Sequence, residues 1–430
     1  MIKVLIISHH FPPDNIVASR RIEAYCRYLH EFGIHPTVVT TRFEKEYINK
    51  ESDVWKIKYH NKDEDALHEE FDNYTVYHLP RPYVKSWSRR IPGLRTLKDI
   101  AGYFRGYFGK DAQQLSNVYR KFLRSHLANK KYDLLLGIYS PQIGPHMAHE
   151  FGTKFNLPFA IDFRDLWDNR VLDKTYGPSL NRRFRNYWMK KYFGKWLADA
   201  RFFTITSQPW LNEIKKLTDT EGHIVQNGYF ELNTEQKVKN SRFTISSVGT
   251  IYPLQDISIF IQAIQELYES HPTLKLKIHM VGLKEHNYNG ITQIFGSSLP
   301  TVWTEISTWV ARDRALEIMN QSDLLYYPAQ SIRGWVSAKL YEYIASGNNI
   351  LVCPGDNDVS DELIKETGTG AICSTAEEAK KYLLEKYNQW LENGHCKSSR
   401  DEHEVAKYSR RNQVRIFSDV AKKELKFDRR

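Results

Sequence analysis

The sequence predicts an α/β chain of two consecutive domains, each an open, mostly parallel sheet covered by helices. Three observations predict it. Short apolar, β-branched runs alternate with stretches of helical spacing along most of the 430 residues, which is the rhythm of strand–helix–strand units. That rhythm breaks at the polar, charged stretch 233–243 and then restarts, as at a linker. The length exceeds what one ordinary core fills and suits two.

In the first half, residues 2–8 are a continuous apolar strand ended by the turn signal Pro12-Pro13-Asp14-Asn15. Residues 18–32 carry Ile22, Tyr25, Cys26 and Leu29 on one helical face, Gly33 stops that helix, and Pro36 to Thr41 forms the next strand. Residues 42–80 have weak periodicity and are expected to be partly irregular. The rhythm returns with a strand at 133–138, a helix at 143–155 and strands at 158–163, 202–206 and 223–227. After the linker come strands at 243–248, 274–281, 323–327, 349–353 and 370–373. Helices are expected at 256–269, 312–320, 337–346, 359–366 and 375–392. Domain boundaries follow: 1–235, 240–409, and a final helix over 410–430.

Lys plus Arg number 61 against 51 Asp plus Glu, a formal charge of +10. The excess concentrates in 81–131 and 182–196 and would attract an anionic surface. No nucleic-acid motif accompanies it, so a nucleic-acid partner is not expected. The four cysteines, Cys26, Cys353, Cys373 and Cys396, lack C-x-x-C spacing and a nearby His cluster. This is the pattern of a reducing compartment without a disulfide framework or zinc site. The apolar N-terminal run is too short for a signal peptide, and no stretch is long enough to span a bilayer. A cytoplasmic protein is expected, soluble or peripheral on the inner face of the membrane.

The segment richest in chemistry is Ser337-Ala-Lys339-Leu-Tyr-Glu342-Tyr-Ile-Ala-Ser-Gly347. A helix beginning near Ser337 offers unpaired amides to a phosphate, and Lys339 in its first turn adds a full charge. Glu342, one turn on, can accept hydrogen bonds from vicinal ribose hydroxyls. From spacing alone, an amphipathic helix with a solvated Lys–Glu pair is the simpler account. Asp356-Asn-Asp358 has the spacing of a metal-binding Asp-x-Asp but follows a strand and reads as a turn.

Other runs stand in register with this one. They are Ile6-Ile-Ser-His-His-Phe-Pro-Pro-Asp-Asn15, Arg21 through Tyr28-Leu29, Tyr139-Ser-Pro-Gln142, Ala160-Ile-Asp162-Phe-Arg164-Asp165-Leu-Trp167, Val225-Gln-Asn227-Gly228 and Val248-Gly249-Thr250-Ile-Tyr252. Together they resemble the GT-B glycosyltransferases, in particular a branch of the large retaining family 4 with an Asp-Phe-Arg-Asp motif, over nearly the whole chain. The resemblance implies two Rossmann-like domains facing across a cleft, with a nucleotide-sugar donor held by the second. It implies donor contacts at Gly249, Thr250, Tyr252, Val310, Arg312, Arg333, Ser337, Lys339 and Glu342. It implies acceptor contacts at Asn15, Arg21 and Asp162, and catalytic roles for Lys339, Arg164 and Asp165. Arg164 and Asp165 also read as a structural pair holding their loop.

The resemblance has departures. Relatives carry a Glu eight residues before the ribose-binding one, where this chain has Gly334. They often carry two cations after the Val-Gly turn, where this chain has Thr250 and Gln255. Lys339 and Arg333 are then left to stabilise a departing diphosphate. The implied reaction is retaining transfer of a hexose-type sugar from a nucleoside diphosphate sugar to a hydroxyl of a glycan or lipid-linked glycan. The implied context is surface polysaccharide or lipopolysaccharide assembly. No metal and no cofactor are required, the nucleotide sugar being a substrate. A nucleotide-sugar epimerase of the same fold and an inactive nucleotide-sugar-binding relative are the alternatives. The run Arg182 to Trp196 is cationic and aromatic at helical spacing. It suits an anionic membrane and suits a helix with its aromatics packed inward equally well. The basic stretch Trp87 to Lys110 adds to the membrane reading. His146, early in its helix, reads as structural.

Overall fold

The computed structural model describes residues 1–14, 16–49, 54–59, 66–81, 100–108, 112–167, 177, 179–231, 240–252, 254–283, 290–308 and 310–426. The chain divides into two compact units. Met1–Ile48, Trp55–Asn227 and Arg410–Arg430 form one, and Asn49–Val54 with Gly228–Ser409 form the other.

The N-terminal unit holds an eight-stranded sheet. Its strands are β1 (Ile2–Ile7), β2 (Ile34–Thr41), β5 (Leu67–Glu70), β6 (Thr75–Leu79), β7 (Leu134–Tyr139), β8 (Phe159–Phe163), β9 (Phe202–Ile205) and β10 (Gly222–Ile224). They lie in the order β10-β9-β8-β7-β1-β2-β6-β5, with only β5 antiparallel to its neighbour. Two further strands, β3 (Phe43–Asn49) and β4 (Val54–Tyr59), pair as a separate ribbon. The helices are α1 (Val17–Tyr28), α2 (Ala112–Asn129), α3 (Ile143–Phe155), α4 (Leu180–Ala198), α5 (Gln208–Lys215) and, from the far end of the chain, α13 (Arg410–Lys426). Val4, Leu5, Ile6 and Ile7 of β1 and Leu134, Leu135 and Leu136 of β7 are wholly buried. A parallel strand covered on both faces needs such an unbroken apolar run. Each such side chain contributes about 1.5–3 kcal/mol. The first turn of α3 lies directly on these strands: a Cβ on Gly144 would stand 2.6 Å from the Ile7 carbonyl oxygen, so only glycine fits.

The closing helix α13 packs on α1. The Tyr25 and Phe417 rings lie 4.8 Å apart, and the Gln413 side-chain oxygen accepts the Gln226 N–H at 2.6 Å. A rim ion pair joins Arg411 to Glu31 at 2.6 Å.

The C-terminal unit holds a six-stranded, wholly parallel sheet. Its strands are β11 (Phe243–Val248), β12 (Leu276–Val281), β13 (Thr304–Ser307), β14 (Leu324–Tyr327), β15 (Asn349–Val352) and β16 (Gly370–Ile372), in the order β13-β12-β11-β14-β15-β16. The helices are α6 (Ser258–Ser270), α7 (Ile291–Ser298), α8 (Arg312–Gln321), α9 (Ala338–Ala345), α10 (Val359–Thr367), α11 (Ala376–Asn393) and α12 (Glu402–Lys407). One core joins Phe243, Ile245 and Tyr326 to α6, α7 and α11. A second joins Val248, Leu325 and Tyr327 to α8, α9 and α10. The sheet is thus sandwiched, the doubly wound arrangement. The longest of these helices, α11, starts with a capping box of Thr375 and Glu378.

Residues 42–80, expected to be partly irregular, carry the four strands β3 to β6. β5 is an exposed edge strand, and an edge gains order from backbone pairing without burying an alternating apolar face. The strand expected at 223–227 is the short β10 at Gly222–Ile224. Most of the polar stretch 233–243 lies outside the described residues. Among the described residues, no helix is long and apolar enough to cross a membrane.

Candidate functional site

In the C-terminal unit the strand order reverses between β11 and β14. Open α/β sheets bind ligands beyond the carboxyl ends of their strands at such a reversal, because the helices on its two sides diverge and leave a crevice. β11 is followed by Gly249, whose φ of 95° lies in the region that favours glycine. A hydrogen bond from its N–H to the Val281 carbonyl at 2.9 Å holds the turn. Past β14 the chain returns through the loop 328–337 into α9. Ser337 caps that helix, its Oγ accepting the Lys339 N–H at 3.4 Å.

Two side chains of α9, one turn apart, tie the helix to the end of β11. The Tyr343 hydroxyl accepts the Val248 N–H at 2.6 Å and donates to the Val248 carbonyl at 3.1 Å. The Lys339 Nζ donates to the Thr250 carbonyl at 3.1 Å and lies 5.4 Å from the centre of the Tyr327 ring. Burial pushes the Lys339 ammonium down to about 7, and no carboxylate charge offsets it. An ammonium held short of counter-charge at a helix N-terminus is a receptor for an anion.

Glu342, half-buried, accepts from the Arg312 guanidinium at 2.6 Å. Arg312 is the first residue of α8, and Val310, two residues earlier, packs against the second core. The ion pair fixes the carboxylate's direction, and its other oxygen has no hydrogen-bond partner among the described residues. Tyr252 stands edge-on to Trp335, ring centres 5.6 Å apart. Arg333 is exposed on the loop leading into α9. The structure thus brings Gly249, Thr250, Ser337 and Lys339 together, and Arg312 with Glu342.

The departures from the resemblance have structural uses. Gln255 is buried; its side-chain oxygen accepts the Tyr252 N–H at 2.8 Å and its amide donates to the Pro328 carbonyl. It ties the loop after β11 to the end of β14. Gly334 adopts a φ of 80° and donates its N–H to Asp358. Asp356 accepts from the N–H groups of Asp358, Ser360 and Asp361, the hydrogen bonding of a turn that opens α10.

In the N-terminal unit, Asp162 at the end of β8 is fully buried and saturated. Arg21 donates to both its oxygens at 2.7 Å, Tyr25 donates at 3.1 Å and Thr204 at 2.5 Å. Arg21 also donates to the carbonyls of Val225 and Gln226 at 3.0 and 2.9 Å. Arg21 and Asp162, expected at an acceptor, are engaged in an internal clamp between α1, β8 and 225–226. Asn15, the third expected acceptor residue, lies outside the described residues. Arg164 and Asp165, half-buried just past β8, form an ion pair with each other. Thr206 donates to the Arg164 carbonyl at 3.1 Å, while the Arg164 Nε is buried without a partner among the described residues. His146 is stacked on Trp196 at 5.1 Å, and burial pushes its pKa down to about 3, a packed neutral ring.

Helix α4 carries the run 182–196 and divides its aromatics. Met189, Phe193 and Trp196 are buried, whereas Leu180, Phe184 and Tyr187 are exposed. Phe104, also exposed, lies 6.0 Å from Phe184 and 4.6 Å from Trp188. Lys191 sits 4.8 Å from the Trp188 ring. Arg105, Arg183, Lys190 and Lys195 are exposed, and the stretch 180–198 contains no acidic residue. Most of Trp87 to Lys110 lies outside the described residues.

No protein-family model matches the chain, and no curated protein matches it. Solved structures do. A sucrose-phosphate synthase from Thermosynechococcus elongatus is 12% identical with a TM-score of 0.57, covering 99% of this chain and 94% of that one. The α,α-trehalose 6-phosphate synthase of Burkholderia multivorans is 12% identical with a TM-score of 0.58, over 99% and 98% of the two chains. Anabaena HepE, solved with UDP and glucose, is 11% identical with a TM-score of 0.51, over 98% and 95%. These neighbours have the GT-B fold of two Rossmann-like domains, and the chain shares that fold.

Proposed function

We propose that this chain is a glycosyltransferase, related to the retaining family 4, that moves a sugar from a nucleoside diphosphate donor to a hydroxyl of a glycan or lipid-linked glycan. The observation that carries the reading is the Lys339–Thr250 contact, which puts a desolvated cation and the N-terminus of α9 at the reversal of the donor-side sheet. HepE binding UDP and glucose supports a nucleotide sugar as the ligand class. The diphosphate takes the helix end and Lys339, and the ribose hydroxyls take the open oxygen of Glu342. Gly249, Thr250 and Tyr252 line the sugar side. Val310 and Arg312 stand by the base, and Arg333 by the phosphates.

Breaking the sugar–phosphate bond leaves added negative charge on the diphosphate. Lys339 and the α9 amides stabilise it as it forms, which lowers the barrier more than it strengthens ground-state binding. No metal or cofactor enters this scheme. Arg164 and Asp165 act on the reacting sugar or the acceptor, and the partnerless Arg164 Nε gives that role a donor. The exposed aromatics and cations of α4 support a peripheral position on the inner face of a membrane, the context of lipid-linked acceptors for surface polysaccharide or lipopolysaccharide.

A thermal-shift screen of nucleoside diphosphates and their sugars tests the reading. A ligand at a hundredfold its Kd adds about 2.7 kcal/mol, a shift of a few degrees. Indifference to every nucleotide removes the proposal. Turnover that releases an altered nucleotide sugar with no acceptor present favours the epimerase alternative.

A further inference from the structure

The turn Asp356-Asn357-Asp358 opens α10 in the C-terminal unit, and its two aspartates are used differently. Asp356 is saturated. Its Oδ1 accepts the N–H groups of Asp358 and Asp361 at 2.9 and 3.1 Å, and its Oδ2 accepts that of Ser360 at 3.0 Å. Asp361 is engaged in the same way, one oxygen on the Asp356 N–H at 3.1 Å and the other on that of Asn357 at 3.0 Å. These bonds close the turn and satisfy the start of the helix. Asp358 stands at the N-cap position itself, where a carboxylate ordinarily bonds the amides of the first turn, yet its side chain caps nothing. It reaches back to the loop ahead of α9, where its Oδ2 accepts the Gly334 N–H. Its Oδ1 has no hydrogen-bond partner among the described residues, and the group is half-buried.

That oxygen stands beside the crevice where β11 and β14 part. Gly334 lies in the loop that leads to the Ser337 cap of α9. The next residue, Trp335, meets Tyr252 of the loop after β11, ring centres 5.6 Å apart. Tyr327, the last residue of β14, links the starts of the two helices. Lys339 Nζ lies 5.4 Å from its ring centre, and the Ser337 backbone and the Ser360 side chain lie beside its hydroxyl. A half-satisfied carboxylate next to an anion-receiving helix end is unfavourable toward a diphosphate, which it repels. It is favourable toward an uncharged group rich in hydroxyls, because an ionised carboxylate accepts O–H donors strongly.

We propose that Asp358 is a specificity-determining residue for the donor's sugar, its Oδ1 accepting a hydrogen bond from a hydroxyl of the hexose. This rests on the glycosyltransferase reading above, which sets the sugar beside Tyr252, and adds the group that recognises it. Asp356 and Asp361 build the turn; Asp358 is the carboxylate the turn leaves over. A site built to bond a hydroxyl discriminates strongly against an analogue that lacks it, since its own polar group then goes unpaired.

The test measures, by calorimetry without acceptor, the Kd of UDP, UDP-glucose, UDP-N-acetylglucosamine, GDP and GDP-mannose for the full chain. The readout is the advantage of each sugar nucleotide over its bare nucleotide. Asp358→Asn keeps an oxygen for the Gly334 N–H and removes the charge. It is expected to cut the advantage of the best donor by about ten- to a hundredfold, the weight of one hydrogen bond to a charged group. It should leave UDP or GDP bound as tightly as before or more so, because a repelling charge is gone. A role confined to shaping the loop would weaken nucleotide and sugar nucleotide alike. Analogues of the best donor deoxygenated at C2, C3, C4 or C6 give a second reading that needs no variant. One of them should bind wild type more weakly than its parent by the same factor, and should lose nothing further in Asp358→Asn. The assignment is overturned, and the glycosyltransferase reading left standing, by an unchanged advantage in Asp358→Asn or by equal losses for nucleotide and sugar nucleotide. It is overturned equally by a wild type that holds no sugar nucleotide more tightly than its nucleotide, or that ignores every deoxygenation. A wild type that binds none of these ligands overturns that reading and this inference with it.

Discussion

The Tyr343 hydroxyl and the Val248 backbone exchange two hydrogen bonds, at 2.6 and 3.1 Å, so that the final residue of β11 is pinned to the middle of α9. A strand end and a helix joined this way move together. Lys339, one turn earlier on the same helix face, inherits that fixed position. Positional accuracy of this kind matters for stabilising charge that develops during a reaction, because a shift of about 1 Å costs on the order of a hundredfold in rate.

Lys339→Ala is expected to reduce sugar transfer by about a hundredfold to a thousandfold, the usual loss for one stabilising donor. With Thr250 and Gln255 in the places of two cations, the loss should fall at the severe end. Lys339→Arg should restore only part, since a planar guanidinium cannot replace a compact ammonium between Tyr327 and Thr250. Transfer by wild type should persist in a metal chelator. Rate assays on the three proteins, with and without chelator, check this.

Nucleotide binding should take up protons. Free Lys339 titrates at about 7, and a bound diphosphate favours its charged form, raising that value in the complex. At pH 8 the free protein is mostly neutral there and gains a proton on binding. At pH 6 it is already charged and gains none. Affinity should therefore fall as pH rises above 7. Calorimetry at pH 8 in two buffers of different ionisation enthalpy measures the uptake directly, and equal heats in both refute it.

Asp162→Ala should destabilise the N-terminal unit by about 3–5 kcal/mol, because it strands the Arg21 guanidinium in the interior. The replacement of both partners, Arg21→Met with Asp162→Leu, should recover a large part of that loss. Thermal melts of the two proteins decide the matter. A mild Asp162→Ala phenotype in the melt with lost transfer would return Asp162 to the acceptor site.

The α4 surface should bind vesicles containing phosphatidylglycerol at low salt and release them as salt rises. Phe184→Ser with Tyr187→Ser should weaken binding at all salt concentrations, by removing the inserted rings. Arg183→Glu with Lys190→Glu should weaken it most at low salt. Sedimentation with anionic and neutral vesicles separates these effects. Equal neglect of both kinds makes α4 a packing element alone.

The buried parallel strands were legible because burial on both faces forces unbroken apolar runs, as in β1, β7 and β14. β3, β4 and β5 were not, since edge and ribbon strands need no such run. Within the candidate site, the family resemblance singled out Lys339 and Glu342, but their partners in the structure were not legible. Thr250 contributes a carbonyl, and Tyr343 resembles any buried tyrosine. The Arg312–Glu342 pair spans 30 positions of sequence, and no local spacing encodes it. The four hydrogen bonds that Asp162 accepts come from α1 and β9, and no local spacing around this strand-end carboxylate encodes them. Gln255 looked like a lost cation and proves to be a brace between two loops.

The partnership of α13 with α1 has a consequence for synthesis. The face of α1 that carries Tyr25 waits for Phe417, nearly four hundred residues downstream. The N-terminal unit cannot finish folding while the ribosome is still translating the segment 228–409, and its unclosed surface stays open to chaperones and to other nascent chains through that interval. The C-terminal unit, contiguous over almost all its length, can complete itself first. Expression should therefore be far less tolerant of truncations that remove α13 than of changes in exposed loops, and the yield of soluble protein should depend on translation speed across the second half of the message.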